Sequence, residues 1–324
     1  MKKYRFTALI LVLMVVVGAV ANVETFAQSR ITTAFDADWR FLKGNGESAE
    51  KPEFNDSDWR KLNVPHDWSI EGQFDEKNPT GGGGGFLPSG VSWYRKTFTL
   101  NEKDKARRFF IEFDGVMGIS DVWINGVKLG TRPSGYISFE YDLTENLNFG
   151  KDNVIAVRAD TSLQPASRWY TGAGIYRHVR LVAKDAIHFP QYGVFVTTPQ
   201  VDEKQAVVNV SSEITNQSKA SQNVSMQVDL IDPNGKIVAS EENKSVELAP
   251  NQTTSFGLEL TVKNPQLWHV EKGIIYKAIA RIRSNKKTFD EEIVPFGIRE
   301  FHFDAKTGFW LNGKNFKVKG VCIH

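Results

Sequence analysis

Apolar and polar residues alternate along most of this chain, whereas the 3.6-residue period of an amphipathic helix is almost absent. A period of two places successive side chains on opposite faces of a strand. Asn125-Gly126 predicts a tight hairpin, because both turn positions favour a positive φ. The strands predicted in the first half, typical of a β-sandwich, are 91–100, 108–113, 121–124, 127–129, 154–159 and 179–182.

The second half repeats the alternating pattern with a different composition. Its predicted strands are 194–197, 206–214, 222–230, 236–240, 253–262 and 274–283. About seven short strands in roughly 110 residues are typical of an immunoglobulin-like sandwich, here without a cysteine pair. A last segment, "GFWLNGKNFKVKGV", predicts another hairpin with Asn312-Gly313 at its turn. The predicted fold class is therefore all-β.

The first 27 residues have the pattern of a secretory signal peptide. Lys2, Lys3 and Arg5 precede an apolar run over residues 8–20, and small residues follow. The run is shorter than the ~20 residues of a membrane-spanning helix. We expect cleavage after Ala27, with Ala21 as the alternative, and a secreted or periplasmic protein.

Charge and cysteine content exclude some partners. Without residues 1–27, three of the 40 basic residues and one of the 38 acidic residues are lost, which leaves 37 of each. Zero net charge and the lack of a basic stripe argue against a nucleic-acid or anionic-membrane partner. The single Cys322 cannot form a disulfide within the chain.

Two stretches are candidates for ligand binding. "NPTGGGGGFLPSG", at 78–90, has five consecutive glycines but no following Lys-Ser/Thr, so a phosphate loop is excluded, and a flexible linker and a loop shaping a carbohydrate pocket remain open. "ASRWYTGAGIYRHVRL", at 166–181, places Arg168 beside Trp169 and Tyr170. Guanidinium and aromatic groups suit the edges and faces of a sugar, whereas the alternative is that Trp169 and Tyr176 fill the core.

Other catalytic chemistry is unsupported by the sequence. The six histidines do not have metal-ligand spacing and there is no CxxC, so a zinc site is not expected. A G-x-S-x-G motif is absent as well. "PHDW", at 65–68, could be a catalytic His-Asp pair, but a structural turn is the preferred interpretation.

Several motifs, taken in order, resemble glycoside hydrolase family 2. The stretches "FNDSDWRKLNVPHDWSI", "WYRKTF", "FDGVMGISDVWINGVKLG", "DNVIAVRAD" and "RWYTGAGIYRHVRL" resemble its sugar-binding domain. "PQLWHVEKGIIY" and "VPFGIREFHFD" resemble the end of its immunoglobulin-like domain, and "GFWLNGKNFKVKGVCIH" the entry to its catalytic (β/α)8 barrel. The glycine-rich stretch is most similar to β-galactosidases, and β-glucuronidases and β-mannosidases share the architecture.

The resemblance implies a domain order. A jelly-roll sugar-binding sandwich over 30–185 is expected to precede an immunoglobulin-like sandwich over 187–298, and 299–324 would be the start of a TIM barrel, which takes about 250 residues. Both catalytic glutamates of the family would then lie beyond residue 324, so this chain alone is expected to be inactive. The implied whole enzyme is a retaining glycosidase that cleaves terminal β-galactosides.

The resemblance also implies which residues contact the sugar. Asn78 matches a loop asparagine that reaches the galactose subsite, and Ser167 and Arg168 precede Trp169 where some relatives have an aspartate. His324 matches a histidine at the end of the first barrel strand. No cofactor is implied for this chain, although the full-length enzyme could use Mg²⁺ and Na⁺, and a homo-oligomer is possible. The competing interpretations are a stand-alone carbohydrate-binding module and an adhesin-like structural protein.

Overall fold

A computed structural model describes residues 30–285 and 287–322, and within them the protein is all-β. These residues form 22 strands, and the only helical segments among them are four 3-10 turns. In that part of the chain no helix is long and apolar enough to cross a membrane. The all-β prediction is confirmed, whereas the predicted signal peptide lies outside the described residues.

The first ten strands form a sandwich of two antiparallel sheets. Six strands lie in the order β3-β2-β4-β9-β6-β7 and face four in the order β1-β10-β5-β8. The strands are β1 Ile31–Ala34, β2 Trp39–Lys43, β3 Arg60–Leu62, β4 Val91–Thr99, β5 Arg108–Phe113, β6 Ile119–Ile124, β7 Val127–Arg132, β8 Phe139–Asp142, β9 Asp152–Asp160 and β10 Val179–Lys184.

Large aromatic side chains fill the space between these two sheets. Trp39 and Tyr94 from the larger sheet and Phe113 and Phe139 from the smaller one are fully buried or nearly so. The rings of Phe113 and Phe139 stack with centroids 5.1 Å apart. Burying such side chains contributes about 1.5–3 kcal/mol each, so this core needs no disulfide.

The predicted Asn125-Gly126 hairpin joins β6 to β7, as expected. Asn125 has φ 49° and Gly126 has φ 81°. The Asn125 side chain also accepts a hydrogen bond from the Val154 amide at 2.8 Å and donates to Asn153 Oδ1 at 2.9 Å. Asparagine therefore suits this turn for two reasons. It tolerates the left-handed conformation, and its side chain hydrogen-bonds the hairpin to β9.

Twelve further strands form a second sandwich and a C-terminal sheet. One sheet has the order β11-β13-β12 with β17 on β13, the next has β15-β14-β18-β19 with β16 on β14, and the last has β20-β21-β22. The Asn312-Gly313 turn lies between β21 and β22, as predicted. The strands are β11 Ile187–His188, β12 Phe195–Val201, β13 Gln205–Asn216, β14 Gln222–Ile231, β15 Ile237–Glu242, β16 Val246–Leu248, β17 Thr253–Lys263, β18 Tyr276–Ser284, β19 Lys287–Phe296, β20 Phe301–Asp304, β21 Gly308–Leu311 and β22 Lys314–Asn315.

Buried charges join the two sandwiches. Arg30, before β1, donates to both carboxylate oxygens of the fully buried Asp290 on β19, at 3.0 and 2.6 Å. Arg30 also donates to Phe189 O at 3.0 Å and pairs with Glu292. Asp290 Oδ2 accepts from the Phe189 amide at 2.9 Å. A buried charge is stable only when hydrogen bonds and an opposite charge replace its water. Because Arg30 and Asp290 find these partners across the junction, the ion pair fixes how the two sandwiches meet.

His188 lies in the same interface. Its ring is 4% exposed and packs against Phe110, and Nδ1 donates to Asp185 O at 3.0 Å. Burial, aided by the neighbouring Lys184 ammonium, lowers the pKa of His188 from 6.5 to about 4. The folded protein therefore holds this imidazole neutral.

The depressed pKa of His188 predicts acid sensitivity. The unfolded chain binds the proton below pH 6.5 and the folded chain only below about pH 4, so stabilisation present above pH 6.5 is lost as the pH falls between these values. At pH 4.5 the loss is about 2.5 kcal/mol. Urea unfolding at pH 7 and pH 4.5 should show a smaller pH effect in His188→Gln than in the wild type. Equal pH effects in the two proteins would contradict the assignment.

Candidate carbohydrate-binding site

The five-glycine stretch folds into a closed turn. The Phe86 amide donates to Gly81 O at 2.8 Å, and the Gly84 amide donates to Thr80 O at 3.1 Å. Asn78 Nδ2 donates to Phe86 O at 2.8 Å and so closes the base of the turn. Of the two interpretations left open by the sequence, this geometry favours a loop with a defined shape and not a flexible linker.

This glycine turn packs against the connection between β9 and β10. A Cβ on Gly83 would lie 3.1 Å from Ser167 O and 3.5 Å from Arg168 Cα. The two backbones can approach this closely because Gly83 has no side chain. The glycine turn that Asn78 closes thus packs against Ser167 and Arg168, so three of the sequence-predicted site residues lie on the two segments that meet at Gly83. We call these three residues the sugar rim.

The carboxylate of Asp67 anchors the β9–β10 connection from below. Its Oδ1 accepts from the Ala173 amide at 2.9 Å and the Ser69 amide at 3.0 Å. Its Oδ2 accepts from the Tyr170 hydroxyl at 2.5 Å. Partial burial and this bond raise the pKa of Tyr170, so the phenol stays protonated as the donor.

His66 does not form a catalytic pair with Asp67. Its Nδ1 contacts Tyr94 Oη at 2.8 Å, and its Nε2 lies 3.2 Å from Glu71 Oε1. Burial lowers the pKa of His66, which favours the neutral ring. The preferred interpretation of "PHDW" as a structural turn agrees with these contacts. Gly174 completes the packing, since a Cβ there would lie 2.0 Å from Tyr94 Oη.

A cleft of about 440 Å³ opens beside the sugar rim, and Ser167 lines it. Trp169 and Tyr136 stand at this cleft, 52% and 58% exposed, and Trp169 Nε1 donates to Tyr136 Oη at 3.3 Å. Trp169 therefore does not fill the core, which removes that alternative. Tyr176 is half-buried, and its hydroxyl donates to Gly135 O at 2.8 Å.

The remaining predicted site features fall into two groups. His324 lies outside the described residues, so its contact with sugar stays a prediction. The described residues contain no group of three His, Cys, Asp or Glu side chains placed to hold a metal ion. The Mg²⁺ and Na⁺ that the resemblance implies for a full-length enzyme stay a prediction.

Sequence reasoning missed Asp67 as the anchor and Tyr136 as a cleft residue. Asp67 lies 106 positions from Ala173, and no local pattern signals a contact over that distance. Tyr136 carried a weak signal, since this aromatic residue directly follows Pro-Ser-Gly at 133–135 and does not lie in an alternating strand.

Comparisons with known families match most of the described chain. The model "Glycosyl hydrolases family 2, sugar binding domain" matches residues 86–185. The model "Glycosyl hydrolases family 2" matches residues 189–299. The two matches lie on the first and second sandwich.

Similar proteins include both galactosidases and glucuronidases. β-Galactosidase BoGH2A of Bacteroides ovatus is 48% identical over 93% of this chain and 35% of its own length. A β-glucuronidase of Formosa agariphila is 34% identical over 91% of this chain and 32% of its own length. A solved family 2 glycosyl hydrolase from Bacteroides cellulosilyticus superposes with a TM-score of 0.86 at 38% identity, over 90% of this chain and 38% of that one. The chain spans about a third of the length of the relatives that it matches.

The close approach at Gly83 predicts a sensitive position in the rim. In Gly83→Ala the new methyl would press on Ser167 O, and we expect a loss of about 1 kcal/mol in stability together with weaker sugar binding. Gly82→Ala is the matched control, because a Cβ there meets only the Phe86 ring at 3.6 Å. Calorimetric titration with a galactoside compares the two variants, and equal affinities would show that the glycine turn does not shape the rim.

Proposed function

Because the chain belongs to glycoside hydrolase family 2, we propose that it is the sugar-binding, non-catalytic part of a secreted retaining glycosidase that releases terminal β-galactosyl residues. The observation that carries this proposal is the meeting of the Asn78 turn with Ser167 and Arg168, since a galactose contact is expected from these segments. The 48% identity to a β-galactosidase supports the choice of sugar. The signal-peptide pattern supports secretion.

The sugar rim offers groups that suit a pyranose edge. Asn78 Nδ2 donates to the Phe86 carbonyl, so the Asn78 Oδ1 remains available as an acceptor for a sugar hydroxyl. The Ser167 hydroxyl can donate and accept, and the exposed Arg168 guanidinium supplies donors. The half-exposed Trp169 adds an aromatic face beside these polar groups.

Two carboxylates beside the connection between β9 and β10, those of Asp67 and Asp160, are already hydrogen-bonded within the protein. A retaining glycosidase needs two free carboxyl groups about 5–5.5 Å apart. Asp67 accepts three hydrogen bonds, and Asp160 accepts from Arg158 at 2.7 Å and from the Ser162 amide at 2.8 Å. We therefore propose that neither Asp67 nor Asp160 is the acid/base or the nucleophile of the reaction.

The purified chain should leave an aryl β-galactoside intact. The expected result is a rate equal to that of buffer, because the resemblance matches neither catalytic glutamate of the family to a residue of this chain, and Asp67 and Asp160 serve structural hydrogen bonds. A fluorogenic galactoside assay measures the rate. Turnover that one Glu→Gln or Asp→Asn change within residues 30–324 abolishes would contradict the proposal.

A β-glucuronide is the second candidate substrate, and Arg168 favours it. The guanidinium is exposed, and no side-chain hydrogen bond or ion pair in the described part of the chain holds it. An arginine can bind a carboxylate through two parallel hydrogen bonds, which is the group that distinguishes a glucuronide from a galactoside. The similar β-glucuronidases are consistent with this candidate.

Binding to the intact chain separates the two sugars. We expect methyl β-galactoside to bind more tightly than methyl β-glucuronide, and Arg168→Met to reduce galactoside affinity less than tenfold. Lys236→Met, which removes one exposed charge from a turn of the second sandwich, is the control for net charge. If the glucuronide binds more tightly, and Arg168→Met abolishes this binding while Lys236→Met preserves it, the proposed substrate is a glucuronide and not a galactoside.

A further inference from the structure

The cleft beside the sugar rim has apolar walls. Met117 is buried in it, and Leu163 stands at it with 75% of its surface exposed. Pro133, Tyr136 and Trp169 complete this apolar lining. The cleft volume of about 440 Å³ falls within the range of small-molecule pockets, roughly 300–1,000 Å³.

The two aromatic residues offer mainly ring surface, and the Tyr136 hydroxyl, which accepts from Trp169, keeps its own proton as one free donor. The only donor of the Trp169 indole is Nε1, and it is bonded to Tyr136 Oη at 3.3 Å. This bond also fixes the two side chains relative to each other. A ligand in the cleft therefore meets a preformed pair of aromatic rings.

The planar polar side chains that line the cleft are bonded within the protein. Gln164 Nε2 donates to Thr161 O at 3.1 Å, and Gln164 Oε1 accepts from the Ala166 amide at 2.9 Å. The Asp160 carboxylate is held by Arg158 and the Ser162 amide. These are the side-chain types that bind sugar hydroxyls in pairs, and here they maintain the loop instead.

The hydroxyl groups of the cleft are few. Thr161 Oγ1 donates to Gly90 O and accepts from the Gly90 amide, both at 3.1 Å. Three hydroxyls, those of Ser134, Ser167 and Thr171, have no hydrogen bond within residues 30–285 and 287–322. A second sugar ring would gain few direct hydrogen bonds from these groups, whereas an apolar ring would cover the exposed walls of Leu163, Tyr136 and Trp169.

We propose that this cleft takes the aromatic aglycone of an aryl β-glycoside whose sugar lies on the sugar rim. Ser167 connects the two parts, because it lines the cleft and its carbonyl also packs against Gly83. A flat apolar ring fits walls formed by Tyr136, Trp169 and Leu163, and a free hydroxyl can meet the linking oxygen. The inference rests on the proposed function, because it assumes that the sugar rim holds the sugar of this glycoside.

Calorimetric titrations of the intact chain test the aromatic assignment. Phenyl β-galactoside should bind about five- to tenfold more tightly than methyl β-galactoside, which is the range for an added aromatic contact. Tyr136→Ala should remove most of this gain in affinity. Because Tyr136 is exposed and not part of a hydrophobic core, the variant should fold like the wild type. Tyr192→Ala, which removes an exposed tyrosine elsewhere, should retain it.

A spectroscopic readout locates the ligand. Among the eight tryptophans, the indole N–H resonance of Trp169 is assigned by its loss in Trp169→Phe. Phenol and phenyl β-galactoside should shift this resonance, and methyl β-galactoside should shift it less. If phenol shifts the Trp169 resonance and no galactoside binds, the cleft still binds aromatic rings, but the proposed function on the sugar rim is wrong. Equal affinity for the phenyl and methyl galactosides, a gain that survives Tyr136→Ala, or tighter binding of lactose than of phenyl β-galactoside would overturn the inference.

Discussion

The hydrogen bonds of one carboxylate, Asp67, hold the candidate site together. The rim and the cleft share one long connection between β9 and β10, which has no sheet partner along most of its length. Asp67 fixes it by accepting bonds from the Ala173 amide and the Tyr170 hydroxyl. A carboxylate suits this position because it offers about four lone-pair sites, and charge-assisted bonds are stronger than neutral ones.

The anchor acts because the sandwich beneath it is rigid. Asp67 follows a segment that is itself bonded to the connection, since the His66 amide donates to Ile175 O at 2.7 Å. Tyr94, fully buried on β4, lies against Gly174 and His66. The loop conformation is therefore determined by a core strand and a carboxylate on one side and by the glycine turn on the other. Loops placed in this way can keep binding groups in position before a ligand arrives.

The sequence predicted most of the long strands, but it missed several short strands and the ten-residue β19. The interior strand β13 alternates apolar and polar residues over most of its twelve positions, and its burial follows the same period. The strands without a prediction include β1, β3, β8 and β19. β1 is exposed at all four positions, and β19 begins with charged residues and contains Pro295, which is tolerated at a sheet edge. These strands form through pairing with neighbours, which a local pattern does not encode.

The site shows the same division between local and distant information. Asn78, Ser167, Arg168 and Trp169 came from motifs that resemble a family, and the structure places the first three around one glycine turn. Asp67 and Tyr136 act through partners 106 and 33 positions away in the chain, so only the folded chain reveals them. The fold also explains the choice of polar residues in the connection. Gln164 and Asp160 serve the loop and not a ligand, because an irregular segment must satisfy its own backbone donors and acceptors before it can present any others.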